Sequence, residues 1–473
     1  MTETDHIKVD VLVIGAGGCG LTAALSAHEA GLEVAILEKA DRAGGNTALS
    51  SGSIPAAGTS LQLSHGVTDS AQAFAKDLFN HTGAHDADAL VGTLTDVSAE
   101  LIDFLAAQGV ALEFVSGYRH VGHSTARLHA PPARRGADLV TDLLTAVERC
   151  DIPLALGQGA TRLIAKQGRI IGAIAGEDRI EADAVILACN GFAAAPELLA
   201  THCPVAAKAA YAGSPYSTGD ALTWGAELGA GTGNLGAFQA HAGLSHRTGA
   251  LMTWTLIERG AVIVDATGQR FGNETLGYSG FGELMMAHEG PFHMIYDAEI
   301  RDNVAAGQPD FAEACAMGAA RQAADAAALA QTIGAPQEGL AATLASARDA
   351  AQGAAADPFG RQDWGLGALD APYCASEIAP AIFHTQGGLR IDTGARVLTE
   401  AGDAIPGLYA GGGAAMGISG RNGARGYMSG NGLLSALGLG LIAGRSAARD
   451  ISTMRTAGGE QPHQSAFDQA QLN

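Results

Sequence analysis

The chain has 473 residues, enough for two or three domains around a sizeable core. Its 49 acidic against 28 basic residues give a net charge of −21, which argues against a nucleic acid or an anionic membrane as partner and reads as a solubility device. The six cysteines, at 19, 150, 189, 203, 315 and 374, form no C-x-x-C pair, haem motif or iron–sulfur run, so reduced thiols in a cytoplasmic compartment are expected. Met1 to Asp10 is polar, so no secretory signal is expected there. The longest late apolar stretch, Leu433 to Ala443, is too short to span a bilayer.

Val11 to Glu38 reads as strand, glycine turn, helix and second strand in one unit. Val11-Leu12-Val13-Ile14 has the length of a buried strand, and Gly15-Ala16-Gly17-Gly18-Cys19-Gly20 is G-x-G-x-x-G. Gly15 makes the tight turn, Gly17 lets the backbone touch a pyrophosphate, and Gly20 lets helix and strand pack closely. The N–H groups that open the helix, Gly18 among them, face the phosphates. Glu38, eighteen residues beyond Gly20, is placed to accept from a ribose diol. The first domain therefore binds an adenine dinucleotide.

Lys39 to Ser53 is a second glycine- and hydroxyl-rich loop, with Gly44, Gly45, Asn46, Thr47, Ser50, Ser51 and Gly52 small enough for a flat ring to lie against backbone. In this context the chain resembles the fumarate reductase and succinate dehydrogenase flavoprotein superfamily, which includes the 3-ketosteroid Δ1-dehydrogenases. The resemblance implies an α/β fold: a Rossmann-like FAD-binding domain interrupted by an α+β cap, the parts being 1–234, 235–367 and 368–473. Several members attach FAD to a histidine of this loop. None stands here, so FAD is expected without a covalent link.

Further along, Leu94 to Leu105 and Gly136 to Val147 read as amphipathic helices flanking a His- and Arg-rich loop that contains Tyr118. Residues 160 to 188 read as strands, starting at Ala160, with Arg169 to Ile174 and Ala184 to Ala188 the clearest. Cys189-Asn190-Gly191 resembles the family's A-T-G-G turn beside FAD with one glycine replaced, and Thr218-Gly219-Asp220 its T-G-D turn. The cap is expected to hold a strand pair, Ala261 to Val264 with Gly268 to Asn273, and alanine-rich helices from Phe311 to Ala354. His384-Thr385-Gln386-Gly387-Gly388 resembles the H-T-M-G-G loop. The run through Gly411-Gly412-Gly413 resembles the turn before the last helix, which starts near Asn431-Gly432-Leu433-Leu434. That helix should aim its N-terminus at the flavin edge where negative charge collects on reduction. From these matches Lys39, Asn190, Gly191, Asp220, Gly412, Asn431, Leu433 and Leu434 join the expected cofactor set, with Ala160.

Taking hydride from a carbon beside an activated one requires a base for the acidic proton and donors for the enolate oxygen. Fumarate reductases use an arginine after an R-F-x-N-E segment, with a T-E pair upstream. Here Arg270-Phe271-Gly272-Asn273-Glu274 is followed by Tyr278, and Thr253-Trp254 replaces the pair, while His241 matches a substrate histidine. The pattern resembles the ketosteroid branch instead, in which that tyrosine is the base. A second tyrosine there polarises the ketone with a backbone N–H. Tyr427 takes its place, with Gly430 or Gly432 as the N–H donor, and Tyr118 is the candidate for a third, assisting tyrosine. The chain is shorter than the steroid enzymes, and Arg421 and Arg425 precede Tyr427. An arginine there resembles the carboxylate clamp of the reductase branch, because a planar guanidinium binds a carboxylate bidentately. The resemblance thus implies an FAD-dependent desaturase of a cyclic ketone, with a small keto acid such as an oxocyclohexanecarboxylate as substrate if the clamp is real. Its rivals are the reverse reaction, an enone or enoate reductase, and an electron-transfer flavoprotein subunit. The electron acceptor is expected to be external.

Overall fold

The computed structural model describes residues 7–83, 85–117 and 119–457. The chain begins with β1 (Ile7–Ile14), α1 (Gly18–Glu29) and β2 (Val34–Leu37). After α2 (Gly136–Arg149) and β3 (Leu154–Ala155), β4 (Asp178–Leu187) closes the first passage. The second passage holds β5 (Gly236–Ser245), α3 (Thr255–Glu258), β6 (Val262–Val264), α4 (Gly277–Met286), β7 (Phe292–Asp297) and α5 (Pro309–Ala316). It continues through α6 (Ala326–Ile333), α7 (Gln337–Ala351) and β8 (Tyr373–Thr385). The chain then returns as β9 (Arg396–Leu398), β10 (Ala404–Ala410) and α8 (Asn431–Ala457).

The central sheet has the order β9-β10-β4-β1-β2-β3. From β10 to β3 the neighbours are parallel, with Val11 opposite Val34 and Leu408 opposite Val185, and β9 adds an antiparallel edge. Strands covered on both faces must be apolar throughout, which is why Val11-Leu12-Val13-Ile14 and Val185-Ile186-Leu187 are almost fully buried. Helix α8 lies against α1 at backbone distance. A Cβ on Gly440 would stand 2.4 Å from the Cys19 carbonyl oxygen, and one on Gly444 2.6 Å from that of Ala23. The glycines in this apolar helix are therefore a packing device, and among the described residues no helix is long and apolar enough to cross a membrane.

A second sheet, β6-β7-β8-β5, is antiparallel and carries its own core of Trp254, Ile263, Phe281, Ile295, Tyr296 and Leu340. Gly268 to Asn273, expected as a strand, is not one. Ile263 N–H donates instead to Glu274 Oε1 at 3.2 Å, and β6 takes β7 as its partner. The expected alanine-rich run divides into α5, α6 and α7, with a short strand, Arg321–Ala323, between the first two.

Candidate active site

One cavity of about 680 Å³ runs from the glycine turn of β1 to the face of α4. At its nucleotide end the glycines allow close approaches of backbone. Gly15 has φ +112, and its Cβ would meet the Ala188 oxygen at 2.4 Å. Gly17 and Gly18 line the wall, and Gly20 packs behind it, where a Cβ would stand 1.8 Å from the Gly15 oxygen. Glu38 is held by N–H groups of Ala16 at 2.8 Å and Ala40 at 2.9 Å, which fix its carboxylate at the end of β2. Lys39 reaches Asp220 at 2.7 Å, and both line the cavity with Ala160 and Asn190. Asn190 has φ +67, a conformation asparagine tolerates, so it replaces a turn glycine without loss of the turn.

Gly45, Asn46, Thr47, Ser50, Ser51, Gly412 and Leu433 also line the cavity. Asn46 ties the turn at Ser214 to β8, its Oδ1 accepting from Ser214 N at 2.6 Å and its Nδ2 donating to Phe383 O at 3.1 Å. Five expected cofactor residues besides Gly20 support the wall from behind. Gly44 N donates to Ala16 O, Gly52 backs onto Pro131, Gly191 onto Thr385, and Asn431 Nδ2 donates to Ser419 Oγ. Leu434 likewise is fully buried behind the lining. The wall fits an FAD. A Cβ on Gly17 would have only the Gly44 oxygen near it, at 3.7 Å, and one on Gly45 would have nothing within 4 Å. Two buried polar atoms on the lining, Gln386 Oε1 and Ser435 Oγ, have no partner among the described residues.

At the other end, the local sequence dictates how Tyr278 is held. Arg270 donates to Glu274 through Nε at 2.9 Å and Nη2 at 2.6 Å, also pairs with Asp357, and Glu274 is fully buried. Asn273 Oδ1 accepts from Thr275 N at 2.9 Å and starts the turn into α4. The R-F-x-N-E segment is thus an anchor, not a reacting group. Gly277, at φ +83, would drive a Cβ into Val121 at 2.5 Å, and Gly282 lets α4 rest on the backbone of His241. Tyr278 then stacks on His241 with centroids 4.9 Å apart, and Trp254 closes over both at 6.3 and 6.0 Å. The acid missing from the Thr253-Trp254 pair is therefore replaced by an apolar wall.

Tyr427 stands edge-on to Tyr278 with centroids 6.0 Å apart, and to His384 at 5.6 Å. Its Oη accepts from Gly432 N at 3.1 Å, so of the two candidate glycines Gly432 is the one bonded to Tyr427, while the Gly430 backbone serves the Tyr278 hydroxyl. Burial raises the Tyr427 phenol to about 12. Burial, with the neighbouring Tyr427 and Glu258 adding to it, holds Tyr278 well above the ordinary phenol value. Burial lowers His241 to about 3 and His384 to about 4, so both rings are neutral. Their strands, β5 and β8, pair antiparallel, with a register shift between Gln239 and Ala240.

Arg421 and Arg425 need correction. Arg421 is exposed and binds Asp86 at 2.7 Å, Arg425 is exposed beside Gly280, and neither lines the cavity. The loop from Gly420 to Gly426 turns outward before Tyr427 turns in, so neighbours in sequence point to opposite sides. Tyr118 lies outside the described residues. Sequence reasoning missed Trp254, Arg134 and Glu258 as lining residues. A signal existed for Glu258: it follows Trp254 by four positions and so shares its helical face. Burial raises its carboxyl to about 8. Arg134, on the loop before α2, holds a left-handed φ of 54.

Residues 10–432 match the FAD binding domain family FAD_binding_2. The chain belongs to this family. It is an FAD-dependent oxidoreductase. It is 29% identical over 458 residues to a fumarate reductase (cytochrome) of Shewanella frigidimarina, covering 95% of this chain and 78% of that one. It is 26% identical over 555 residues to 4-oxocyclohexanecarboxylate 2-dehydrogenase of Sinomonas cyclohexanicum, covering 95% and 94%. The crystal structure of 3-ketosteroid Δ1-dehydrogenase from Sterolibacterium denitrificans superposes with a TM-score of 0.74 at 21% identity, over 93% of this chain and 99% of that one, a likeness of fold.

Proposed function

We propose that this family member is a desaturase that introduces a C=C bond α,β to the carbonyl of a cyclic ketone. The observation that carries the reading is the pairing of Tyr278 and Tyr427 over the neutral rings of His241 and His384, with Trp254 where an acid would serve fumarate. Tyr278 removes the α-proton. The Tyr427 hydroxyl, accepting from Gly432 N–H, donates its own proton toward the substrate oxygen and steadies the enolate charge. FAD, when bound without a covalent link along the glycine-lined wall, supplies the hydride acceptor. Trp254 and Phe383 keep water from the reacting carbons.

The substrate class extends to a small keto acid such as an oxocyclohexanecarboxylate, with Arg134 rather than Arg421 or Arg425 as the guanidinium that meets the carboxylate. The similarity to the 4-oxocyclohexanecarboxylate dehydrogenase supports this. The similarity to the Shewanella fumarate reductase favours a second reading, the reverse reaction on an enone or enoate. Anaerobic mixing of the purified yellow protein with a panel of cyclic ketones separates the two. Bleaching by a ketone supports desaturation. Bleaching by none, with reoxidation of reduced protein by enones alone, supports the reductase.

A further inference from the structure

We infer that His123 is a positioning residue for the base: by holding the Ser429 carbonyl it aims the N–H at the other end of that peptide unit, Gly430 N–H, at the Tyr278 hydroxyl. The inference rests on Tyr278 being the base.

The Tyr278 hydroxyl has Ser429, Gly430 and Tyr427 as its hydrogen-bonding partners. Gly430 contributes its backbone N–H, which donates to the phenol oxygen and favours its charged form. The direction of that N–H is set by the plane of the Ser429–Gly430 peptide. This peptide is trans, so its C=O and its N–H point opposite ways. At the carbonyl end, His123 Nε2 lies 2.8 Å from Ser429 O, and both residues are buried. A carbonyl only accepts, so Nε2 carries the hydrogen and donates it. Burial lowers His123 to about 4, which leaves the ring neutral near pH 7, and its Nδ1 has no partner among the described residues. One hydrogen bond therefore pins the outer end of the plane whose inner end serves Tyr278. A bond accepted at the carbonyl also polarises the peptide unit and strengthens what its N–H donates.

The packing around His123 makes this grip a fixed one. His123 N donates to His120 O at 3.1 Å and closes a short turn that stands between the segments carrying the two tyrosines. Toward α4, Val121 fills the space beside Gly277, where a Cβ would come within 2.5 Å of it. Toward α8, Ser429 N donates to Val121 O at 3.2 Å, and Gly122 rests on Met428, which a Cβ would meet at 2.5 Å. Ser124 ties the turn to Asp77 through its N at 2.8 Å and its Oγ at 2.6 Å, and Asp77 pairs with the fully buried Arg127 at 2.5 Å. The helix that carries Asp77, Ala71–Thr82, also brings His81 Nε2 to 3.3 Å from Tyr427 O. Gly430 itself holds φ +87, which residues with a side chain rarely adopt. The His- and Arg-rich loop thus acts as a strut between α4 and the turn before α8.

The test compares the wild-type holoenzyme with His123→Phe, which keeps a ring against Phe74 but has no donor, and His123→Gln, whose amide nitrogen takes the place of Nε2. Anaerobic flavin bleaching is followed over a range of cyclohexanone concentrations, together with deuterium washout from the α-position of the ketone. If the protein runs in the other direction, reoxidation of reduced protein by cyclohex-2-enone replaces bleaching. His123→Phe should lower the limiting rate and the washout about tenfold, the worth of one good hydrogen bond, with the half-saturating concentration and the FAD spectrum unchanged. His123→Gln should recover most of the loss. In a Tyr278→Phe background, His123→Phe should cost nothing further, because its effect passes through the missing hydroxyl. A His123→Phe protein that does not retain FAD is replaced by His123→Asn, whose shorter amide leaves Ser429 O without its donor, with the same results expected. A full rate without the donor, no recovery in His123→Gln, or an equal loss in both backgrounds overturns the role of His123 alone, provided that Tyr278→Phe is impaired. Wild-type turnover in Tyr278→Phe, or no reaction with either probe, overturns the base assignment and takes this inference with it.

Discussion

Replacing Tyr278 by phenylalanine removes one hydroxyl and keeps the ring, so its stacking on His241 at 4.9 Å and its edge contacts with Trp254 and Tyr427 should persist. The stability change should be only about 1 kcal/mol, the net value of a typical hydrogen-bonding hydroxyl. The protein should therefore purify yellow, with its FAD spectrum intact. Turnover should behave differently, because the hydroxyl removed is the proposed base. The two histidines are held neutral by burial, and Tyr427 is occupied by Gly432. A general base contributes about 100-fold or more, which at about 1.36 kcal/mol per decade raises the barrier by ~2.7 kcal/mol or more. Stopped-flow bleaching under anaerobic conditions measures the rate, and deuterium washout from the α-position of a bound ketone measures proton abstraction by itself. Both should fall together. Wild-type turnover with undiminished washout would show that Tyr278 is packing, and the desaturase reading would lose its main support.

Tyr427→Phe should lower turnover about 100- to 1,000-fold through the lost donor while leaving washout measurable; an unchanged rate counts against an enolate donor here. Acid precipitation should release the yellow colour into the supernatant, and flavin retained in the pellet would refute non-covalent binding. Arg134→Met should raise KM for a keto acid far more than for the matching neutral ketone, whereas Arg421→Met and Arg425→Met should leave both constants alone, a pattern steady-state kinetics reads directly. Glu274→Gln breaks a buried pair with Arg270 and should cost about 3–5 kcal/mol, seen as a much lower melting temperature; an unaltered one refutes the anchoring role. His123, His129 and His384 are lowered by burial to about 4 and His241 to about 3. Their neutral forms stabilise the fold fully above the unfolded value of about 6.5, and each loses up to about 1.4 kcal/mol per pH unit as pH falls toward its folded value. The melting temperature should drop between about pH 7 and about pH 5, and a flat profile would contradict their neutral burial.

Residues close in sequence reported their own structure well. Gly15 to Glu38 could be read as turn, helix and strand because each glycine role is a matter of steric distance within one β-α-β unit, and the structure has those approaches at Gly15 and Gly20. Tyr278 and Tyr427 could be singled out by motif, but that they meet depends on α4 resting on β5 through Gly282 and on α8 starting beside His384, contacts between segments nearly 150 residues apart. The arginines show the limit most clearly. Arg425 precedes Tyr427 by two residues, yet a turn sends it to the surface, since proximity along the chain does not set the side a loop residue faces. Likewise the anchoring role of Glu274 shows only in its bond to Arg270, and Glu258, which the sequence did not single out, has its acidity changed by burial. Local sterics are written in the sequence by itself. The burial that sets a pKa is a property of everything packed around a group, and only the tertiary structure decides it.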